Sequence, residues 1–211
     1  KVTDEGLGYL STCLSLRTLW FAGNRVTDSG LLHIGRLKNL SSLMLNGTGI
    51  TGAGLEHISH LTGLTFLSLS GTKTDDEGLA HLRGLGSLDH LDLSDTQITD
   101  EALAHLSKLR NLYTLNLSGT NITDKGLIHL SSMRDHSLNR TRIASGAFTY
   151  LPALVNLTDL DLSGTHITDE GLQCLRSLPN LRNLNLMRTS VTEAGAVKVR
   201  LEIPRLRITL D

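Results

Sequence analysis

The chain has 211 residues, 39% of them hydrophobic but only 3% aromatic, and a formal net charge of -1. That charge exerts no pull toward nucleic acid or an anionic membrane surface, and no apolar run approaches the roughly 18 residues that crossing a bilayer requires. With so few aromatics the core must be built from Leu and Ile, which suits one small layer of packing reused many times.

Residues 1–16 read as the latter half of a repeat. Val2, Leu7, Leu10, Cys13 and Leu16 fill apolar positions, yet no strand precedes Val2. The first core layer is therefore expected to be open on one side, and residues before Lys1 or another chain are expected to cap it. From Leu16 onward a fixed period sets in. Leu64-Thr65-Phe66-Leu67-Ser68-Leu69-Ser70-Gly71-Thr72 aligns with Leu88 to Thr96 and with Leu112 to Thr120, a shift of 24 each time. A marker position runs Asn24, Thr48, Thr72, Thr96, Thr120, Thr141, Thr165, Thr189, with every step 24 except one of 21 after Thr120. After most markers comes an Ile-Thr-Asp-like turn, as at Ile98-Thr99-Asp100, and then an apolar run such as Gly78, Leu79, Leu82, Leu85.

Two periods alternate inside each unit. Leu67 and Leu69 are two apart, a short strand that points both side chains inward and Phe66, Ser68 and Ser70 outward. Leu79, Leu82 and Leu85 are three apart, one face of a short helix. Thr or Asp ahead of that helix can cap its free N–H groups. Neither element buries its leucines alone; stacked neighbours do. The predicted fold class is α/β, a right-handed solenoid or horseshoe. Its parallel strands, about 4.8 Å apart, line the concave face and short helices the convex face. One domain is expected over 1–211, with a leading half unit at 1–16 and eight strand-bearing units over 16–211.

One unit is shortened near 133–141. Between Met133 and Thr141 it has lost three residues, and His136 stands where an inward Leu belongs; a local loosening or kink is expected. At the far end Val191-Thr192-Glu193 opens a last unit with Ala196 and Val199 at helix core positions. Leu201, Ile203 and Leu206 then drift off phase, Pro204 interrupts, and Ile208 and Leu210 suggest a final short strand. Arg205, Arg207 and Asp211 supply the polar outer face that a terminal repeat presents to water.

The pattern Leu-x-x-Leu-x-Leu-x-x-(Asn/Thr) resembles the leucine-rich-repeat family over essentially the whole chain. The Ile-Thr-Asp-x-Gly-Leu turn is similar to that of bacterial repeat proteins and of the repeats in F-box-associated ubiquitin-ligase receptors. The resemblance implies that the marker side chain bonds loop backbone. Only Asn24 keeps the family's Asn, and Thr takes the other seven places. A hydroxyl has one donor and two acceptor sites, so a stacked Thr ladder is the expected substitute.

In so regular a chain, departures from the pattern carry the functional information. Outward strand positions give an apolar patch of Trp20, Met44 and Phe66, followed by His90, Asp92 and Asn116. An acidic stretch then includes Asp135, Asp159 and Asp161. Trp is enriched among interface hot spots, and exposed apolar clusters mark contact sites. The rival readings are that an N-terminal cap covers Trp20 and that the acids form a solvated face. The expected partner-binding residues are Trp20, Met44, Phe66, His90, Asp92, Asn116, Asp159 and Asp161, on the concave face, for a protein or peptide. The alternative is a structural spacer of a larger chain without a dedicated ligand.

His33, His57, His81, His105 and His129 share one phase of consecutive units. Imidazole is the commonest metal ligand, but helices packed about 10 Å apart cannot close a site whose ligands lie near 2 Å from one ion. Duplication explains the row, and no metal or cofactor is expected. There is no Gly-Lys-Ser/Thr phosphate loop, no His-Glu-x-x-His helix and no Cys-x-x-Cys pair, so enzymatic activity is not expected. Cys13 and Cys174 lie too far apart in a linear array to pair, and without a disulfide framework a reducing compartment such as the cytoplasm is favoured. Sequons such as Asn46-Gly47-Thr48 arise from the repeat itself and say little about secretion.

Overall fold

The computed structural model describes residues 1–130, 135–137, 141–150 and 154–211, and covers backbone alone at 135–137, 148 and 174. Two compact units divide the chain, Lys1–Leu112 and Tyr113–Asp211.

In the first unit, strands β1 (Thr18–Trp20), β2 (Ser42–Met44), β3 (Phe66–Ser68) and β4 (His90–Asp92) form a parallel sheet. Each residue pairs with the one a full repeat further on, as in Leu19 with Leu43, Leu43 with Leu67, and Leu67 with Leu91. Helix α1 (Asp4–Leu10) comes first, and α2 (Asp28–Ile34) follows β1. A 3₁₀ segment (Ala53–Ile58) follows β2, α3 (Asp76–Leu79) running into 3₁₀ (Ala80–Gly84) follows β3, and α4 (Asp100–Leu106) follows β4. The second unit repeats the plan with β5 (Thr114–Asn116), β6 (Asp135–Ser137), β7 (Asp159–Asp161), β8 (Asn183–Asn185) and β9 (Arg207–Thr209), paired in parallel and in order. Its helical segments are 3₁₀ at Asp124–Leu130, Ser145–Thr149 and Gly171–Ser177, and α at α5 (Glu193–Glu202).

So much 3₁₀ structure follows from the leucine spacing. A three-residue turn eclipses side chains at i and i+3, so Leu55, Ile58 and Leu61 stack on one line and all are buried. Together with Leu43, Leu45, Ile50 and Leu64 they make one complete layer of the core. Each such side chain contributes about 1.5–3 kcal/mol on burial.

The strand exit turns need a left-handed residue. Gly23, Gly47, Gly71, Gly119 and Gly164 supply it with φ between 62° and 70°, whereas Asp95 (54°) and Arg188 (56°) adopt it at a steric cost. Gly78 answers a different need: a Cβ there would lie 2.2 Å from the Cα of Gly52 in the preceding repeat.

Thr and Asp of the Ile-Thr-Asp turn do more than cap helices. Asp75, Thr99 and Thr192 accept N–H bonds at helix starts, from Gly78, Glu101 and Gly195, but Thr3 and Thr27 make no side-chain cap. The recurrent device joins neighbouring repeats. The Asp4 carboxylate accepts from the Thr27 N–H (2.8 Å) and hydroxyl (2.5 Å). Asp28 accepts in the same way from Thr51, Asp76 from Thr99, and Asp169 from Thr192. A carboxylate accepts two charge-assisted bonds more strongly than a neutral group would.

At five of the marker positions the Thr hydroxyl bonds loop backbone within its own repeat. Thr48, Thr72, Thr96, Thr120 and Thr165 each donate to the carbonyl three residues earlier in their own turn, at 2.6 Å. The Asn24 side-chain oxygen instead accepts from the Val2 N–H of the preceding repeat at 2.8 Å.

Two terminal expectations are corrected. Cys13, assigned to a core position, is exposed, whereas its equivalents Leu37, Leu61, Leu85 and Leu109 are buried. Leu206, read as off phase, is buried at 5% exposure: the turn closed by its N–H on the Ile203 carbonyl (3.0 Å) carries it back into the core. The final strand centres on Ile208, which is half-buried. The shortened repeat lies largely outside the described residues; in backbone register His136 stands between Leu115 and Leu160.

Candidate interaction surface

The outward side chains of the first unit fall into two side-by-side pairs. Trp20 and Met44 occupy paired positions on β1 and β2, with Trp20 71% exposed and Met44 half-buried. Phe66 pairs with His90 on β4, their rings stacked at 6.0 Å between centroids and 23° between planes. Phe66 stands in register with Ser42, two residues before Met44, so the apolar patch runs diagonally across the strands. The His90 ring is held by the Asp89 carboxylate at 2.5 Å. The sheet period thus brings all four residues to one strand face.

Asp92 belongs to that face but is already engaged. Its Oδ1 accepts from the Ser94 N–H (3.0 Å) and hydroxyl (2.7 Å), and its Oδ2 from the Ser68 hydroxyl (3.2 Å). Ser68, an outward position in sequence, is only 2% exposed as a result.

The second unit repeats this chemistry. Asn116 Oδ1 accepts from the Ser118 N–H at 3.1 Å, Asp161 Oδ1 from the Ser163 N–H at 2.9 Å, and Asn185 Oδ1 from the Met187 N–H at 3.1 Å. These are Asx turns, in which a short polar side chain bonds backbone two residues on. Asp159 accepts from the Asn183 amide at 2.5 Å. Asn116, Asp159 and Asp161 come together along one open cleft of about 530 Å³, with Thr114, Asn185 and Thr209. The Asp135 side chain lies outside the described residues. Sequence reading took Asp92, Asn116, Asp159 and Asp161 as partner-binding positions, with a solvated acidic face as the rival, and did not show their turn role. The signal was there: Asp92, Asn116 and Asp161 share one repeat phase, each with Ser two residues later.

On the helix face His33, His57, His81, His105 and His129 are all half-buried. His105 is held below the usual imidazole range by burial and then by the Arg83 guanidinium in contact with it. Among the described residues no three His, Cys, Asp or Glu side chains gather as metal ligands would, and no helix is long and apolar enough to cross a membrane.

Residues 14–202 match a family model described as a leucine-rich repeat region, and the chain belongs to that family. Its structure is similar to internalin C2 of Listeria monocytogenes, with TM-score 0.74 and 30% identity over 95% of this chain and 84% of that one. It also shares its fold with a leucine-rich-repeat protein of Leptospira interrogans, TM-score 0.64 and 21% identity, covering 95% of this chain and 56% of that one. No curated protein sequence matches it. The leucine-rich-repeat solenoid expected from the 24-residue period is therefore the fold class of this chain. Proteins of this family are typically interaction modules that bind other proteins, without enzymatic activity.

Proposed function

We propose that the chain recognises a protein or peptide on its strand face. The observation that carries this reading is Trp20, the single Trp of the chain, exposed on an outward strand position beside Met44. A rigid Trp against an adaptable Met gives much contact area at low entropic cost, the character of an interface anchor. Phe66 and His90 extend the apolar platform, and Asp92 stands at its polar rim. In the second unit Asn116, Asp159 and Asp161 offer acceptors to donors on a partner.

The test is capture of binding partners by the intact chain and by the Trp20→Ala, Met44→Ala, Phe66→Ala variant, with melting curves verifying the fold. Loss of a hot spot costs about 2 kcal/mol or more, roughly thirtyfold in Kd. A protein enriched by the wild type and depleted by the folded variant supports the reading. A partner held equally by both refutes the assignment of these residues.

A further inference from the structure

The last repeat has a charge balance unlike the rest of the chain. Residues 176–211 contain seven Lys and Arg against three Asp and Glu, a net +4, so the first 175 residues carry -5 of the overall -1. All three acids are already engaged. Glu202 pairs with Arg176 at 3.2 Å, Glu193 with Arg200 at 2.8 Å, and the Asp211 carboxylate accepts the Arg188 N–H at 2.7 Å. Arg182, Arg205 and Arg207 are left without a carboxylate partner among the described residues, and all three are exposed.

These three arginines line one cleft of about 840 Å³, together with Glu202, whose carboxylate is paired with Arg176. Arg182 comes from the segment leading into β8, Arg205 from the segment between α5 and β9, and Arg207 from the start of β9. The backbone ties the two segments together, because the Arg207 N–H donates to the Arg182 carbonyl at 2.8 Å. Pro179, Ile203 and Pro204 add apolar and conformationally stiff walls. On β9 the Arg200 guanidinium donates to the Ile208 carbonyl at 3.3 Å. What the cleft offers a ligand is side-chain chemistry: permanently charged forks that match carboxylates in bidentate geometry.

We propose that this cleft binds an acidic peptide segment, a run of Asp or Glu side chains in a protein partner. It is a second site, built from residues separate from the Trp20 surface. Charge complementarity and size select the occupant. A short acidic segment meets the local field of the three arginines, because screening confines surface electrostatics to about 8 Å at physiological salt. A nucleic acid duplex or an anionic membrane presents an extended field, which a chain of net charge -1 does not attract.

Fluorescence anisotropy of a labelled oligo-glutamate peptide, titrated with the intact chain at low and physiological salt, tests the assignment. Saturable binding is expected, weakened on the order of tenfold by Arg182→Gln, Arg205→Gln, Arg207→Gln. The Arg17→Gln, Arg25→Gln control in the first unit should leave it unchanged. If the triple variant melts early, Arg205→Gln alone, which alters one exposed side chain, should still give a several-fold loss. The proposal fails if the peptide does not bind, or if both variant sets weaken it equally. It also fails if a DNA oligonucleotide or phosphatidylserine vesicles bind through these arginines more tightly than the peptide does. Because Trp20 is intact throughout, failure here leaves the strand-face reading standing.

Discussion

At the N-terminal end the seven-residue helix α1 buries Leu7 alone, while Val2, Leu10 and Leu16 are half-buried. At the C-terminal end the ten-residue α5 buries Gly195, Ala196 and Val199, and Leu206 closes the layer beyond it. The two helices also start differently. Thr192 caps α5 by accepting the Gly195 N–H at 3.1 Å, whereas Thr3 makes no side-chain cap for α1. Apolar surface left open to water in either repeat forfeits about 25 cal/mol per Å². The last repeat meets this with a longer helix, a cap, ion pairs and a returning leucine. The first repeat has consensus leucines and none of these additions.

Cavity formation gives the sharpest test of that contrast. Leu206→Ala should cost about 2–4 kcal/mol in urea unfolding, and Leu16→Ala about 1 kcal/mol or less, since a half-buried site loses less area and can collapse. Hydrogen exchange should follow the same order, with the amides of α1 opening before those of α5. Equal costs and equal protection would break the comparison.

The caps should differ next. Thr192→Ala removes both the helix cap and the hydroxyl bond to Asp169, a loss of about 1–2 kcal/mol. Thr3→Ala removes no cap and should change the melting temperature little.

Acid should act on the last repeat through Asp169. The Thr192 hydroxyl, and then the Thr192 N–H, hold its carboxyl below its ordinary 3.8. A depressed native pKa stabilises the fold at pH values above the unfolded one, and that contribution is lost as pH falls through the native value. Stability should therefore drop below about pH 4 in the wild type. In Asp169→Asn, already weaker at neutral pH, the same titration should be shallower. Parallel acid curves for the two proteins would remove Asp169 from the account.

The smallest effect is expected at Arg188, left-handed with φ 56° where five exit turns use Gly. Relief of about 1 kcal/mol of strain, partly offset by glycine's unfolded-state entropy, makes Arg188→Gly mildly stabilising. A fall in melting temperature would show that the Arg side chain contributes more than its backbone costs.

Much of this molecule was legible in its sequence. The 24-residue period, the switch from spacing two to spacing three, and the inward set from Leu43 to Leu64 are local properties of the chain. Repetition gives every layer the same neighbours, so register follows from length alone. Trp20, Met44, Phe66 and His90 were placed on one face for the same reason, by the alternation of a strand. What the sequence did not reveal depends on distances across repeats. The Asp4–Thr27 type of bond joins residues 23 apart whose side chains meet only after stacking. Ser68 is bonded to Asp92 of the next strand, and Leu206 re-enters the core through a turn that contains Pro204. Periodicity specifies which way a side chain points, and packing decides what it finds there.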